Sequence, residues 1–115
     1  MVIGRNFYCN ANCIINSGKS IRIGDDALLG WDVTLIDGDG HRMIKQTSER
    51  EDIFAPIEIG NHVWIAAKSS ILKGSYIDDD SVIAYGGLVS KKFNEKNILI
   101  GGNNQVLKKG IEWTK

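Results

Sequence analysis

The sequence predicts an all-β fold, a parallel β-helix of hexapeptide repeats with one long excursion loop and a short C-terminal tail. Three observations predict it. Ile59, Ile65, Ile71, Ile77, Ile83 and Val89 stand six residues apart, and four residues after each of the first five comes a smaller side chain: Val63, Ser69, Ser75, Ser81 and Gly87. The same beat runs earlier through Ile23, Leu29 and Leu35, with Ala27 and Val33 as the four-later partners. Between the two runs a polar stretch of about twenty residues, Ile36 to Pro56, leaves the beat. A short fixed period is the mark of a solenoid, and a period of six that of a β-helix.

Each hexad supplies a short strand and a corner, and three hexads close one triangular coil. The leading aliphatic and its four-later partner point inward, while the residues between face out or turn the corner. Coils stack at the ~4.8 Å spacing of β-sheets, and the resulting parallel sheets must bury their inner faces. Isoleucine suits that position because β-branched side chains pack well on a pleated surface. Helix is excluded, since a period of six does not keep residues on one helical face. Small residues follow the leading aliphatic at Gly60, Ala66 and Ala84, and 13 glycines with one proline fit a chain of tight corners. A polar excursion of such length inside a compact domain reads as functional or disordered. Past Val89 the beat fades. Residues 91–104 read as irregular, and Val106 to Trp113 as a tail that could pack along the solenoid. The reading is one domain over residues 1–115, with the excursion at about 36–56 and the tail at about 101–115. The open ends of the stack are association surfaces, so an oligomer is expected.

Composition narrows the function. At 115 residues the chain is long enough for one continuous core. Fourteen basic and fourteen acidic residues cancel, which argues against a nucleic-acid or membrane-surface protein. No apolar run approaches the ~18 residues of a membrane span, and no leader pattern opens the chain, so a cytoplasmic location is expected. Cys9 and Cys13 read as free packing residues. Together with His41 and His62 they show no ligand spacing, so no metal is expected. No phosphate-cradling glycine loop of the P-loop kind occurs.

His41 is the main chemical candidate. Imidazole titrates near working pH and suits a general base; from the residues alone, a solvated loop histidine is an equal alternative. Asp37 and Asp39 flank it. Either could orient the imidazole, and Asp-Gly steps equally favour tight turns. His62, between Asn61 and Val63, reads as a surface residue.

With the beat and the excursion in view, several stretches resemble the hexapeptide-repeat acyltransferases, in the galactoside, maltose and polysaccharide O-acetyltransferase branch. Ile3 to Asn10 resembles the opening of that branch's first coil. Asp37-Gly38-Asp39-Gly40-His41 resembles its loop histidine motif, and Pro56 to Ile65 the return into the helix. Ile83 to Lys91 with Gly101-Gly102 resembles its last coil and exit, and Val106 to Trp113 the tail of polysaccharide-modifying members. The resemblance implies a left-handed β-helix, although the general rule gives right-handed crossovers in ~98% of cases. It implies a homotrimer with active sites between subunits, and acetyl transfer from acetyl-CoA to a sugar or glycan hydroxyl by direct attack on the thioester.

Carried over residue by residue, the resemblance makes His41 the general base and Asn10 an acceptor contact, with Asp37 a further candidate there. Amides read hydroxyls through both donor and acceptor. The Ala67 backbone N–H would meet the thioester oxygen, a role that needs no particular side chain. Trp64, Ala67, Tyr85, Ser90, Lys91 and Lys108 would hold acetyl-CoA, the lysines acting as point charges on phosphate. The sequence departs from the family at Ser17-Gly18, where relatives carry a carboxylate, and at Gln105, where arginine is common and Lys109 could substitute. Galactoside and maltose enzymes also carry a helical region before the coils, whereas this sequence starts almost directly at one. The alternatives are N-acetylation of an amino sugar and a non-catalytic β-helix scaffold. A γ-carbonic-anhydrase-like β-helix would need three zinc-binding histidines, and the sequence has two.

Overall fold

The protein is described by a computed structural model covering residues 1–41 and 53–115; residues 42–52 of the expected excursion lie outside the described residues. In chain order the first coil comprises β1 (Val2–Ile3), β2 (Tyr8–Cys9) and β3 (Ile14–Asn16), and the second β4 (Ile21–Ile23), β5 (Leu28–Leu29) and β6 (Thr34–Ile36). The third comprises β7 (Ile57–Ile59), β8 (Trp64–Ile65) and β9 (Ser70–Leu72), and the fourth β10 (Tyr76–Ile77), β11 (Val82–Ile83) and β12 (Leu88–Val89). β13 (Lys92–Phe93) and β14 (Ile98–Gly101) follow, and β15 (Gln105–Lys109) closes the stack. The strands form three sheets, ordered β1-β4-β7-β10-β13, β15-β14-β11-β8-β5-β2 and β12-β9-β6-β3. Every pairing between coils is parallel, while β15 runs antiparallel to β14.

The inward register follows the beat. Ile59, Ile65, Ile71, Ile77, Ile83 and Val89 are buried, as are Ala27, Val33, Val63, Ser69, Ser75 and Ser81. The buried serines are tolerated because each hydroxyl has a backbone partner. Ser69 Oγ donates to the Ala84 carbonyl at 2.9 Å and Ser75 Oγ to Val89 at 3.0 Å, while Ser81 Oγ accepts the Ile98 N–H at 3.3 Å.

Two coils escape the sequence pattern. In the first, Ile3, Cys9 and Ile15 pair with Ile23, Leu29 and Leu35, each twenty residues on, because the corner at residues 16–20 carries two extra residues. At the other end, residues 91–104 are not irregular, which corrects the sequence reading. Phe93 pairs with Ile77 and Ile100 with Ile83, and Phe93, Ile98 and Ile100 are all buried. Steps of 16 and 17 residues replace the regular 18 there, so the period disappears while the stacking continues.

Two of the three corners turn on a positive-φ residue in coil after coil, while the third does so at Gly74. One column is Asn6, Asp26, His62, Asp80 and Asn97; another is Asn12, Asp32, Lys68 and Gly86. Asparagine and aspartate tolerate that conformation best. The third corner, after β3, β6, β9 and β12, is where the excursion leaves between β6 and β7.

Candidate functional site

Asp37 is the first residue past β6, and it is fully buried. Its carboxylate is met from the widened corner of the preceding coil. Gly18 N–H donates to Oδ1 at 2.7 Å, Lys19 and Ser20 N–H donate to Oδ2 at 2.8 and 2.7 Å, and the Ser17 hydroxyl donates to Oδ2 at 3.3 Å. Burial pushes the carboxyl up, but the three N–H donors and the hydroxyl outweigh it and hold it below its ordinary value. The family's carboxylate is missing from Ser17-Gly18 in the sequence, yet in space a carboxylate stands against that corner, supplied by Asp37.

The root of the excursion is a short antiparallel clasp. Gly38 bridges Phe54, Asp39 N–H donates to Ile53 at 3.0 Å and Ala55 N–H to Asp37 at 3.0 Å. The Phe54 ring lies over Gly18 and Gly38, where any β-carbon would strike it. Asp39 pairs with Lys73 at 2.5 Å. His41 emerges from this clasp exposed to solvent. Beneath it a cavity of 390 Å³ is lined by Asn16, Gly18, Asp37, Gly40 and Phe54, among others. Asp37 therefore anchors the loop root, with both carboxylate oxygens engaged by backbone rather than by an imidazole.

A second group gathers at the corner after β2, β5, β8 and β11. Asn10 is half-buried, its N–H donates to Leu29 at 3.0 Å and its amide oxygen accepts the Tyr8 hydroxyl at 3.3 Å. Two coils further along the same corner, Ala67 precedes Lys68, whose φ is +61°. Among the described residues no acceptor takes the Ala67 N–H. Gly30 stacks over it, and a β-carbon on Gly30 would stand 2.7 Å from the Ala67 nitrogen; glycine keeps that backbone face open. Trp31 and Tyr85 flank Ala67 in the neighbouring coils, both well exposed.

The remaining residues lie elsewhere. Trp64 is on the outer face of β8 and Lys108 is exposed on β15. Ser90 is clamped by Asn104, which accepts its N–H at 2.7 Å and donates to its hydroxyl at 2.8 Å. Lys91 lies over the Phe93 ring at 5.2 Å. Lys109 pairs with Glu95 at 3.3 Å. The tail packs along the solenoid. Trp113 stacks on His62 with ring centroids 3.9 Å apart and donates its indole N–H to the His62 carbonyl at 2.9 Å. His62 also contacts Asp80 at 2.9 Å, so it is more engaged than a plain surface residue. Trp113 lies 6.0 Å from Trp64, and Lys115 lies over Tyr8. Sequence reasoning missed Trp113, Gly30, Trp31 and Phe54. Their importance comes from stacking neighbours many residues away, which no local motif reports.

The chain is 40% identical over 90 residues to galactoside O-acetyltransferase of Escherichia coli strain K12, covering 77% of the chain and 44% of that enzyme. Its fold superposes on the polySia specific acetyltransferase NeuO with a TM-score of 0.84 at 29% identity, covering 98% of the chain and 50% of NeuO. It also matches a maltose O-acetyltransferase from Clostridium difficile 630, with a TM-score of 0.79, 30% identity, and coverage of 96% and 59%. The chain belongs to the hexapeptide-repeat acyltransferases. Its β-helix is left-handed, as in the other solved members. No protein-family model matches it. The chain spans about half the length of the relatives it matches.

Within the family frame, seven candidate residues of one chain fall into two groups on different corners, while Trp64 and Lys108 lie on the second sheet. His41, Asp37, Ser90 and Lys91 sit at the third corner, Asn10, Ala67 and Tyr85 at the second. The third sheet, about 10 Å of strand, lies between them.

Proposed function

We propose that this chain transfers an acetyl group from acetyl-CoA to a hydroxyl of a sugar or polysaccharide precursor. His41 removes the hydroxyl proton as the oxygen attacks the thioester carbonyl. The new C–O bond forms, the C–S bond breaks, and the departing thiolate takes up the proton that His41 holds. The Ala67 N–H stabilises the oxygen that carries charge in the transition state. Trp64, Tyr85, Ser90, Lys91 and Lys108 hold acetyl-CoA and Asn10 contacts the acceptor. Asp37 acts through the loop root, as a positioning residue for His41, in place of the direct acceptor contact expected from the sequence.

The observation that carries this reading is the open Ala67 N–H under Gly30. A backbone donor left accessible at a tight corner is what an oxyanion site requires; Ala11, Trp31 and Tyr85 offer the same donor in neighbouring coils, and the family resemblance is what selects Ala67 among them. The relatives' names, galactoside, maltose and polySia acetyltransferases, support a hydroxyl on a carbohydrate as acceptor. The division of residues between two corners favours a site completed between subunits of a homotrimer; the proposal further places the enzyme in the cytoplasm and gives it no metal.

The test is thiol release from acetyl-CoA across sugars, amino sugars and nucleotide-linked sugars, with His41→Ala in parallel. Acceptor-dependent release is expected, lowered ~10²-fold or more in the variant with its melting curve unchanged. Near-normal turnover of the variant removes His41 as base. Release only with amino sugars moves the reading to N-acetylation. No release, and no binding of acetyl-CoA by calorimetry, leaves a scaffold.

A further inference from the structure

We propose that Cys9 and Cys13 form a reactive dithiol at the first coil, which a low-molecular-weight disulfide converts into an intramolecular disulfide. The sequence alone reads them as separate packing residues; the register of the coil puts them face to face. Cys9 pairs with Leu29 in the second sheet, in the column continued by Ile65 and Ile83. That column points inward: Leu29, Ile65 and Ile83 are fully buried. Cys13 lies four residues on, in the inward column of Val33, Ser69 and Gly87, and it packs against the core.

The two columns meet across the corner. At Gly87 a β-carbon would stand 2.9 Å from Ile83 Cγ2. The γ atom at the leading position thus reaches the β-carbon of the four-later position. In the first coil that γ atom is the Cys9 sulfur and that β-carbon carries the Cys13 sulfur. The Cys13 thiol donates to the Gly30 carbonyl at 3.1 Å. A disulfide needs β-carbons about 3.5–4.5 Å apart, so the bridge requires the two columns to stand within that range at this corner. Access differs between the pair, since Cys9 is exposed and Cys13 half-buried. Cys9 is therefore the attacking thiol and Cys13 the resolving one.

The chemistry balances with oxidised glutathione. The Cys9 thiolate attacks one glutathione sulfur, forming a mixed disulfide and releasing one glutathione thiolate. The Cys13 thiolate then attacks the Cys9 sulfur and releases the second. Two protein thiols are oxidised, one glutathione disulfide is reduced to two thiols, and the two protons pass to the departing thiolates. Partial burial, with the neighbouring Cys13 thiol, holds the Cys9 thiol above its ordinary value, so the exchange is run at mildly alkaline pH. The bridge closes the corner that carries Asn10.

The experiment treats the intact chain with oxidised glutathione. Free thiols are then counted after denaturation, and peptides mapped by mass without reduction. The wild-type chain is expected to lose both thiols and two hydrogens, with Cys9 and Cys13 in one linked peptide and no glutathione retained. Cys13→Ser is expected to keep one glutathione on Cys9. A wild-type chain that retains glutathione on Cys9, links to a second chain, or keeps both thiols free overturns the proposal. The wild-type measurement decides the matter even where a serine variant fails to fold.

Discussion

A carboxylate enclosed by backbone N–H groups resists replacement, and Asp37 is enclosed by three of them and a hydroxyl. Asp37→Asn turns an amide N–H₂ toward donors, leaving at least one buried group unmet. The expected loss is roughly 3 kcal/mol of stability, read from the urea midpoint. The pH dependence has a definite sign. The folded carboxyl lies below its ordinary value, so in acid the unfolded chain binds the proton more readily. The contribution is complete above the unfolded value of about 3.9 and is lost as pH falls through the folded one. Wild type should therefore lose stability below about pH 4 more steeply than Asp37→Asn, whose curve lacks this component. Ala67 admits a sharper probe of chemistry. Lys68 has positive φ, as position i+2 of a type II turn requires, and such turns accept proline at i+1. Ala67→Pro deletes the N–H while respecting the turn. Turnover is expected to drop about 10²–10³-fold with melting preserved, and unchanged turnover would remove Ala67 from the site. His41 was visible in the sequence through its glycine-flanked motif. The role of Asp37 was not, because its donors lie nearly twenty residues back at Gly18 to Ser20, and an Asp-Gly step signals only a turn.

At the scale of elements, the coil is the unit. Second, third and fourth coils were legible because Ile23, Ile59 and Ile77 each open three clean hexads. The first coil keeps the beat at Ile3, Cys9 and Ile15, but the two extra residues that wrap Asp37 set it out of phase with Ile23, so only the resemblance of Ile3 to Asn10 pointed to it. The fifth was hidden by shortened steps to Phe93 and Ile100. In the fifth, burial persists where spacing does not, at Phe93 and Ile100, so period is a sufficient sign of a rung and not a necessary one. The inward register itself can be tested at Ile71, fully buried on β9 between Leu35 and Val89. Ile71→Asp removes a stacked aliphatic and places a charge where no partner waits. Desolvating it costs more than the ~5–15 kcal/mol that typically holds a domain together. Circular dichroism should show an unfolded chain. A folded, cooperatively melting variant would mean that the side chain faces out.

For the whole molecule, the decisive fact is that one chain holds its candidate residues on two corners. His41 leaves from the third, and the Ala67 N–H opens at the second, with the third sheet between. In a closed ring, one chain's third corner can meet its neighbour's second, since head-to-tail contacts close only when the rotation does. The proposed assembly is the homotrimer that the family resemblance implies, and sedimentation should show that mass. Mixing makes the argument quantitative. His41→Ala chains lack the base and Ala67→Pro chains lack the donor, so each homotrimer is expected to be inactive. After unfolding and co-refolding at equal ratio, an interface works only where an intact His41 meets an intact Ala67 from its neighbour. For random assembly that is about one interface in four, so the mixture should regain about a quarter of wild-type turnover. If both groups served the site from the same chain, mixing would restore nothing, since every site would carry one defect or the other. Recovery thus separates a site shared between subunits from a site contained in one, without any knowledge of the acceptor's identity beyond one that supports turnover.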